Sequence, residues 1–375
     1  MNILVIGAGA IGCLVGGKLA QSGQTVTLVG RPRLCAAIQQ RGLILRTRAG
    51  DTVVRTLQAV ESIAAAFAPA LSSSGASSLK ILPYNLAILT VKSYDTATAL
   101  NELTAALATH QLAPPTMLSL QNGVGNEQAI AAAVGAERVI AGSITTPVSV
   151  PEPGIIHIEK PHHVVGISAW QGDPALVATI AAILSDAGFD TRIYPNAASM
   201  KWTKLLMNMV GNASSAILDE SPAQLFRDPV LVDMEIAAWR EALAVMRGLG
   251  VAPVNFGSYP FRWLAPLIRF APNALLRPFL RSRVGGARGN KLPSLHIDLH
   301  HNKGKSEVDW LNGAVVRAGQ QVSIATPVNA WLMDTLTALV NDPAARADWR
   351  KNHGRLVAAG FTQTLPLTGD SHFRK

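Results

Sequence analysis

Three places in the sequence put glycines or polar groups where chemistry needs them. Gly7-Ala8-Gly9-Ala10-Ile11-Gly12 spaces its glycines as G-x-G-x-x-G, Arg31 follows downstream, and Lys204, Asn208 and Asn212 recur every four residues. The glycine spacing suits a phosphate: the first allows a tight turn, the second lets backbone approach a pyrophosphate, and the third lets a helix pack on a strand. The Arg31 guanidinium can fork onto a phosphate. Lys204, Asn208 and Asn212 share one face of a helix. Trp202, Leu205, Leu206, Met209 and Val210 flank them, leaving a narrow polar stripe among apolar neighbours. Buried polar groups need partners, which a ligand pocket or other protein groups can supply.

The elements around the glycines set their role. Residues 2–6 read as a buried strand, 10–22 as a helix stopped by Gly23, and 25–29 as a second strand. A glycine turn inside such a βαβ unit is a dinucleotide fingerprint, its phosphates held by the helix N-terminus. The second strand ends Val29-Gly30-Arg31-Pro32-Arg33, with no acid to accept a ribose 2′-hydroxyl. Arg31, helped by Arg33, can pair with a 2′-phosphate, so NADP(H) is the expected cofactor.

A hairpin is expected around 49–51, and a helix followed by a surface loop over 61–79. A strand over 85–91 ends at Lys92-Ser93, a helix covers 95–109, and a strand over 117–120 runs into Gln121-Asn122-Gly123-Val124-Gly125. The alternation continues to about 194 and predicts a Rossmann-type, doubly wound parallel sheet over 1–195. Ligands sit at the carboxyl ends of such strands. There Lys92 can reach a phosphate or ribose and Asn122 the nicotinamide end, although Asn-Gly is also a common turn dipeptide.

From 198 the period becomes helical, over 198–218, 229–248, 298–318 and 325–340, and predicts an all-helical substrate domain over 196–345. Residues 255–293 mix arginines, bulky apolar residues and prolines. They read as a lid, a homodimer contact or a basic amphipathic element on a membrane. The prolines break a long amphipathic helix, which favours an insertion at the domain edge over membrane contact. The polar tail, 346–375, is expected to fray. His300-His301 invites a metal, but zinc-ligand spacing and a nearby cysteine are missing, so no metal is expected.

Composition bounds these readings. The 375 residues carry a net charge of +9, with 49% hydrophobic and 15% charged residues. Two domains follow from the length, and anionic partners from the charge: phosphorylated cofactors, carboxylate substrates, acidic lipids or nucleic acid. A nucleic-acid partner is set aside for want of a recognition motif. No apolar run suffices for a transmembrane segment. Two cysteines exclude a disulfide framework and point to a reducing compartment, the cytoplasm. Glycines interrupt the opening apolar run and no basic residue precedes it, which argues against a signal peptide.

Taken in order, GAGAIG at 7–12, Arg31, VKS at 91–93, QNGVGN at 121–126, WTKLLMN at 202–208 with Asn212, and SEVDWLNG at 306–313 make the chain resemble the ketopantoate reductase (2-dehydropantoate 2-reductase) family. The resemblance spans nearly the whole chain apart from 255–293 and the tail. It implies a Rossmann-type domain followed by a helical domain of the 6-phosphogluconate dehydrogenase type. The implied activity is NADPH-dependent reduction of 2-dehydropantoate to pantoate, toward pantothenate. It makes Lys204 the general acid, Asn208, Asn212 and Ser294 substrate groups, and Lys92 and Asn122 cofactor contacts beside Gly7 to Gly12 and Arg31. Glu307 is implied to touch the cofactor side and help fix the lysine. Pro222, beside Ser221, stands where the family often has a further substrate-binding asparagine. Two other readings stand alongside: a reductase of another 2-keto acid, of hydroxy-acid or opine type, and a non-catalytic NADP(H)-binding regulator. Lys204, Asn208, Asn212 and Glu307 argue against the regulator.

Overall fold

The computed structural model describes residues 1–68, 83–285 and 292–361. It divides into two units, Met1–Lys201 and Trp202–Lys375. The division falls inside the helix Ala197–Met209, beyond the 195 at which the sequence pattern changes.

Among its described residues the first unit has twelve strands: β1 (Asn2–Ile6), β2 (Thr25–Val29), β3 (Leu43–Thr47), β4 (Gly50–Val54), β5 (Gln58–Val60), β6 (Leu86–Leu89), β7 (Thr116–Ser119), β8 (Val139–Thr145), β9 (Val148–Glu152), β10 (Ile155–Ile158), β11 (Val164–Ala169) and β12 (Asp190–Ile193). Eight of them form one sheet in the order β12-β11-β8-β7-β6-β1-β2-β5. β1 lies between β2 and β6, parallel to both. Its unbroken apolar run follows from burial on both faces. Ile3 and Val5 join a core with Leu14, Val15 and Leu19 of the following helix. Leu4 and Ile6 face the other way, into a core with Leu100 and Leu103.

The sheet is mostly parallel, as the alternation predicts, with one antiparallel junction: β11 runs antiparallel to β8. No crossover helix follows β8. Instead the chain makes the hairpin β9–β10, which the alternation did not signal, and then returns. A return without a crossover permits antiparallel pairing. β10 pairs parallel with β3, giving a second sheet of order β4-β3-β10-β9. The β3–β4 hairpin turns where expected, with Thr47 opposite Gly50. A short helix, Ile63–Ala66, opens the 61–79 stretch, and the rest of that expectation from 69 onward lies outside the described residues.

Among its described residues the second unit has no strand beyond an isolated bridge, Phe256 to Tyr259. Its longest helix, Pro229–Gly248, starts at an Asp228 side-chain cap with Pro at the first turn. Three expectations change here. The 198–218 helix is two helices, Ala197–Met209 and Asn212–Leu218, parted at Gly211, which has φ 62°. The 298–318 pattern is a helix Ser294–His300, a 3₁₀ turn Glu307–Trp310 and a helix Asn312–Gln321. The start of the polar tail folds as Arg346–Trp349 and His353–Phe361. Trp349 and Leu356 bury apolar surface there, and the Leu356 carbonyl accepts the Trp331 indole N–H at 3.1 Å.

Candidate active site

The glycine turn is shaped as its spacing requires. Gly7 has φ +104°, and a Cβ there would lie 2.5 Å from the Val91 nitrogen. At Gly12 a Cβ would meet the Gly7 carbonyl oxygen at 2.3 Å, which leaves no room for a side chain against the strand. At Gly9 a Cβ would meet nothing within 4 Å. Glycine there is unexplained by protein packing and fits a ligand brought against the backbone. The following helix, Ala10–Gln21, has no side-chain N-cap and no acid in its first turn. Its N–H groups at Ala10, Ile11 and Gly12, with the helix dipole, suit a pyrophosphate. Ala8 donates its N–H to the Val29 carbonyl at 2.8 Å, which ties the turn to the end of β2.

Arg31 is exposed directly after β2, at the N-cap of the helix Pro32–Arg41. A neighbour was missed from sequence: Val60 of β5 pairs in register with Val29, so Glu61 leaves the sheet edge beside Gly30 and Arg31. Cys13 and Cys35 are both free and buried. Burial, with Cys35 nearby, pushes the Cys13 thiol up to about 12, so it stays protonated.

Lys92 and Asn122 stand on two loops that a buried polar network joins. Ser93 donates its hydroxyl to the Asn122 carbonyl at 3.1 Å, and the Asn126 amide donates to that carbonyl at 3.0 Å. The Gln121 amide donates to the Val91 carbonyl at 3.0 Å and the Thr96 hydroxyl at 2.8 Å. Positive φ at Gly123 and Gly125 turns the second loop. Beneath it Lys201 Nζ donates to the carbonyls of Gln121 at 2.8 Å and Gly142 at 3.2 Å. It also pairs with Glu127 at 2.8 Å, both side chains almost wholly buried. Removing one partner of such a pair leaves an uncompensated buried charge, at a cost of about 3–5 kcal/mol. Lys201 and Glu127 are far apart in sequence, and neither was a candidate.

In the second unit Lys204 is buried, with its ammonium 5.9 Å from the Phe256 ring centroid. A ring face partly offsets lost hydration of a cation. Two bonds fix that stretch of helix: Trp239 Nε1 donates to the Leu206 carbonyl at 2.8 Å, and Val254 N–H to the Thr203 hydroxyl at 3.0 Å. Asn208 is half-buried in the next turn. The Asn212 amide donates to the Asn208 carbonyl at 2.9 Å and the Ser294 hydroxyl at 3.5 Å, and accepts the Leu295 N–H at 3.1 Å. Asn212 therefore brackets Ser294 at the start of its helix.

Lys204, Asn208 and Asn212 do not ride one helix, which corrects the sequence pattern. The break at Gly211 is held by the buried Glu235, which accepts the Gly211 N–H at 2.8 Å and the Ser214 hydroxyl. Glu307 is buried in its 3₁₀ turn, which the Ser306 hydroxyl caps. Where the family pattern has a further asparagine, Pro222 opens a short helix. Ser221 beside it is engaged in a capping box with Gln224.

The histidine that matters beside His300 is His296, one turn away, rather than His301. Asp219, at φ +53°, accepts from His296 Nε2 at 2.7 Å, and its carboxylate lies 3.6 Å from His300 Nε2. The two imidazoles stack at 4.2 Å. Arg350 holds the other Asp219 oxygen at 3.1 Å, a fixed positive charge that opposes a cation there. Burial lowers the His296 pKa, against the Asp219 hydrogen bond that raises it.

A G-x-G-x-x-G turn on a mixed Rossmann-type sheet, followed by a helical unit carrying a buried lysine and amides, is the arrangement of a nicotinamide-dependent reductase. The profile described as ketopantoate reductase PanE/ApbA matches residues 3–172, and that described as ketopantoate reductase PanE/ApbA C terminal matches 196–340. The chain belongs to this family of oxidoreductases and takes a nicotinamide cofactor. The 2-dehydropantoate 2-reductase of Pyrococcus horikoshii is 27% identical over 333 residues, 88% of this chain and 94% of that protein. The crystal structure of a PanE/ApbA family ketopantoate reductase from Ralstonia eutropha is 27% identical with TM-score 0.72, covering 91% of this chain and 99% of that one. D-mandelate dehydrogenase with NADH and anilino(oxo)acetate shares the fold at TM-score 0.72 and 22% identity, covering 91% and 99% of the two chains.

Proposed function

We propose that the chain reduces 2-dehydropantoate to pantoate with NADPH in the cytoplasm, on the route to pantothenate, with Lys204 as general acid. The observation that carries this is the buried Lys204 ammonium, held by a pinned helix in the same unit as the Asn208, Asn212 and Ser294 set. Arg31 favours NADPH, because a guanidinium can grip a 2′-phosphate. The two buried free thiols suit a reducing compartment.

When bound, the reduced nicotinamide supplies a hydride to the ketone carbon. Negative charge then grows on the ketone oxygen. Lys204 donates a hydrogen bond to that oxygen, stabilises its charge and gives up one proton, which completes the alcohol. Solvent returns the proton to Lys204 between turnovers. Asn208 orients the ketone without competing to donate a full proton. Ser294, placed by Asn212, donates its hydroxyl to the substrate carboxylate. Gly7 to Gly12 seat the pyrophosphate, Lys92 and Asn122 hold the ribose and nicotinamide end, and Glu307 steadies the lysine.

A second reading keeps this chemistry and changes the 2-keto acid. Pro222 offers no polar side chain and the Ser221 hydroxyl is engaged in its cap, so this position supplies no amide to the substrate. The shared fold of D-mandelate dehydrogenase, solved with a ligand named as an oxoacetate, is in keeping with it. The test is kcat/KM for NADPH oxidation across a panel of branched, aromatic and linear 2-keto acids. 2-Dehydropantoate should lead by roughly tenfold or more, a pocket difference of one or two groups. A faster aromatic or linear acid overturns the substrate assignment and leaves the reaction type standing.

A further inference from the structure

Within the 255–293 stretch, of which 286–291 lie outside the described residues, the chain forms two short helices, Phe261–Phe270 and Asn273–Leu280, each containing a proline, followed by a π-helical turn, Arg281–Gly285. One side is anchored. Phe261, Ala265, Ile268, Leu276 and Leu280 are buried. Arg240 donates to the carbonyls of Ile268 at 2.9 Å and Ala271 at 2.7 Å, and Arg277 pairs with Asp233.

The other side faces water with the wrong residues for water. Trp263 is 76% exposed, Phe270 71%, Leu275 68% and Leu267 47%. Trp263, Leu267 and Phe270 recur at helical spacing and form one ridge. Isolated exposed apolar residues are ordinary, but a clustered ridge of large ones marks an interaction surface. Arginines frame it: Arg262 and Arg269 on the first helix, and the exposed Arg281 and Arg283 on the turn. Beside the ridge lies a groove of about 450 Å³ whose lining includes Arg247, Arg262, Arg269, Leu243, Val251 and Phe270. Six arginines lie between 242 and 285, and no Asp or Glu occurs from 242 to 297.

We infer that this face docks on the surface of an anionic phospholipid bilayer, with Trp263, Leu267, Phe270 and Leu275 entering the interface and the arginines meeting headgroup phosphates. Bulky apolar residues and arginines on one short face are what an in-plane anchor uses. Each arginine near a negatively charged leaflet adds to the attraction. The groove offers an acyl-compatible wall beside guanidinium groups. A second copy of this chain fits less well, because a two-fold contact sets the same arginines against each other. No helix among the described residues is long and apolar enough to cross a membrane.

The test is co-sedimentation of the full chain with phosphatidylcholine vesicles, with and without phosphatidylglycerol. Binding should rise at least roughly tenfold with the anionic lipid and fall again with added salt. Trp263→Ala with Phe270→Ala should lower anionic-vesicle binding about tenfold or more, with circular dichroism and keto-acid reduction unchanged. Inorganic phosphate at matched ionic strength should not release the protein. Failure of the wild-type chain to bind anionic vesicles overturns the inference without any variant. So does equal binding by the double variant, release by inorganic phosphate alone, or light scattering that shows a lipid-free dimer which the double variant loses.

Discussion

Gly9→Ala separates packing from ligand binding at the glycine turn. The added Cβ meets nothing within 4 Å, and φ is −82°. Replacing an N-cap glycine with alanine costs a few tenths to about 1 kcal/mol. Restricting the unfolded chain returns about 0.4–1 kcal/mol. The apo protein should therefore keep its stability within about 1 kcal/mol. By contrast, alanine at Gly7 would adopt φ +104° with its Cβ 2.5 Å from a backbone nitrogen, and should destabilise the fold itself. On the proposed reading, the methyl at 9 would occupy space that a pyrophosphate seated on this turn needs. Losing one or two charge-assisted bonds costs about 3 kcal/mol, or roughly 150-fold in affinity. The assay is thermal unfolding with NADPH at about 100 times the wild-type Kd. The wild type gains about 2.7 kcal/mol, which is about 5–10 °C for a unit of some 200 residues. Gly9→Ala retains a ligand ratio of about 0.7, worth about 0.3 kcal/mol and near 1 °C. An undiminished ligand shift in a stable Gly9→Ala protein would refute seating of the phosphates on this turn.

Arg31→Ala should raise KM for NADPH roughly ten- to hundred-fold and leave NADH within about threefold, since a charged hydrogen-bonded pair is worth about 1.5–3 kcal/mol. An equal rise for both cofactors contradicts a 2′-phosphate grip. His353 contacts Asp228 at 2.8 Å and Glu220 at 2.6 Å. Burial opposes its charge, but these hydrogen bonds outweigh burial and raise its pKa. The resulting stability is fully present below the unfolded value near 6.5 and lost as pH rises through the folded one. His353→Gln should therefore lower Tm most below about pH 6.5, with the gap shrinking as pH rises above it. A gap unchanged with pH removes the role of charge.

How much was legible depended on how local the chemistry is. The glycine turn, its strand and its helix use consecutive residues, so spacing alone placed Gly7, Gly9 and Gly12. The helix break at Gly211 was not legible. A glycine within a helical period is often tolerated, and the Glu235 that holds it lies on another helix. The Lys201–Glu127 clamp was missed for the same reason: a lysine next to Trp202 looks like a surface residue until its partner arrives through the fold. The antiparallel β11 was hidden because a strand's apolar pattern does not encode its direction. In the tail, Trp349 and Leu356 were the cues to folding, outweighed in the reading by the charge around them.

The central claim is that one ammonium supplies both charge and proton to the reducing ketone. Its most direct test is Lys204→Met, with NADPH affinity measured by cofactor fluorescence and kcat by loss of nicotinamide absorbance. NADPH affinity within about twofold of wild type, with kcat lower by roughly a thousandfold, is the expected result. A variant that binds NADPH normally and turns over within about tenfold of wild type contradicts it.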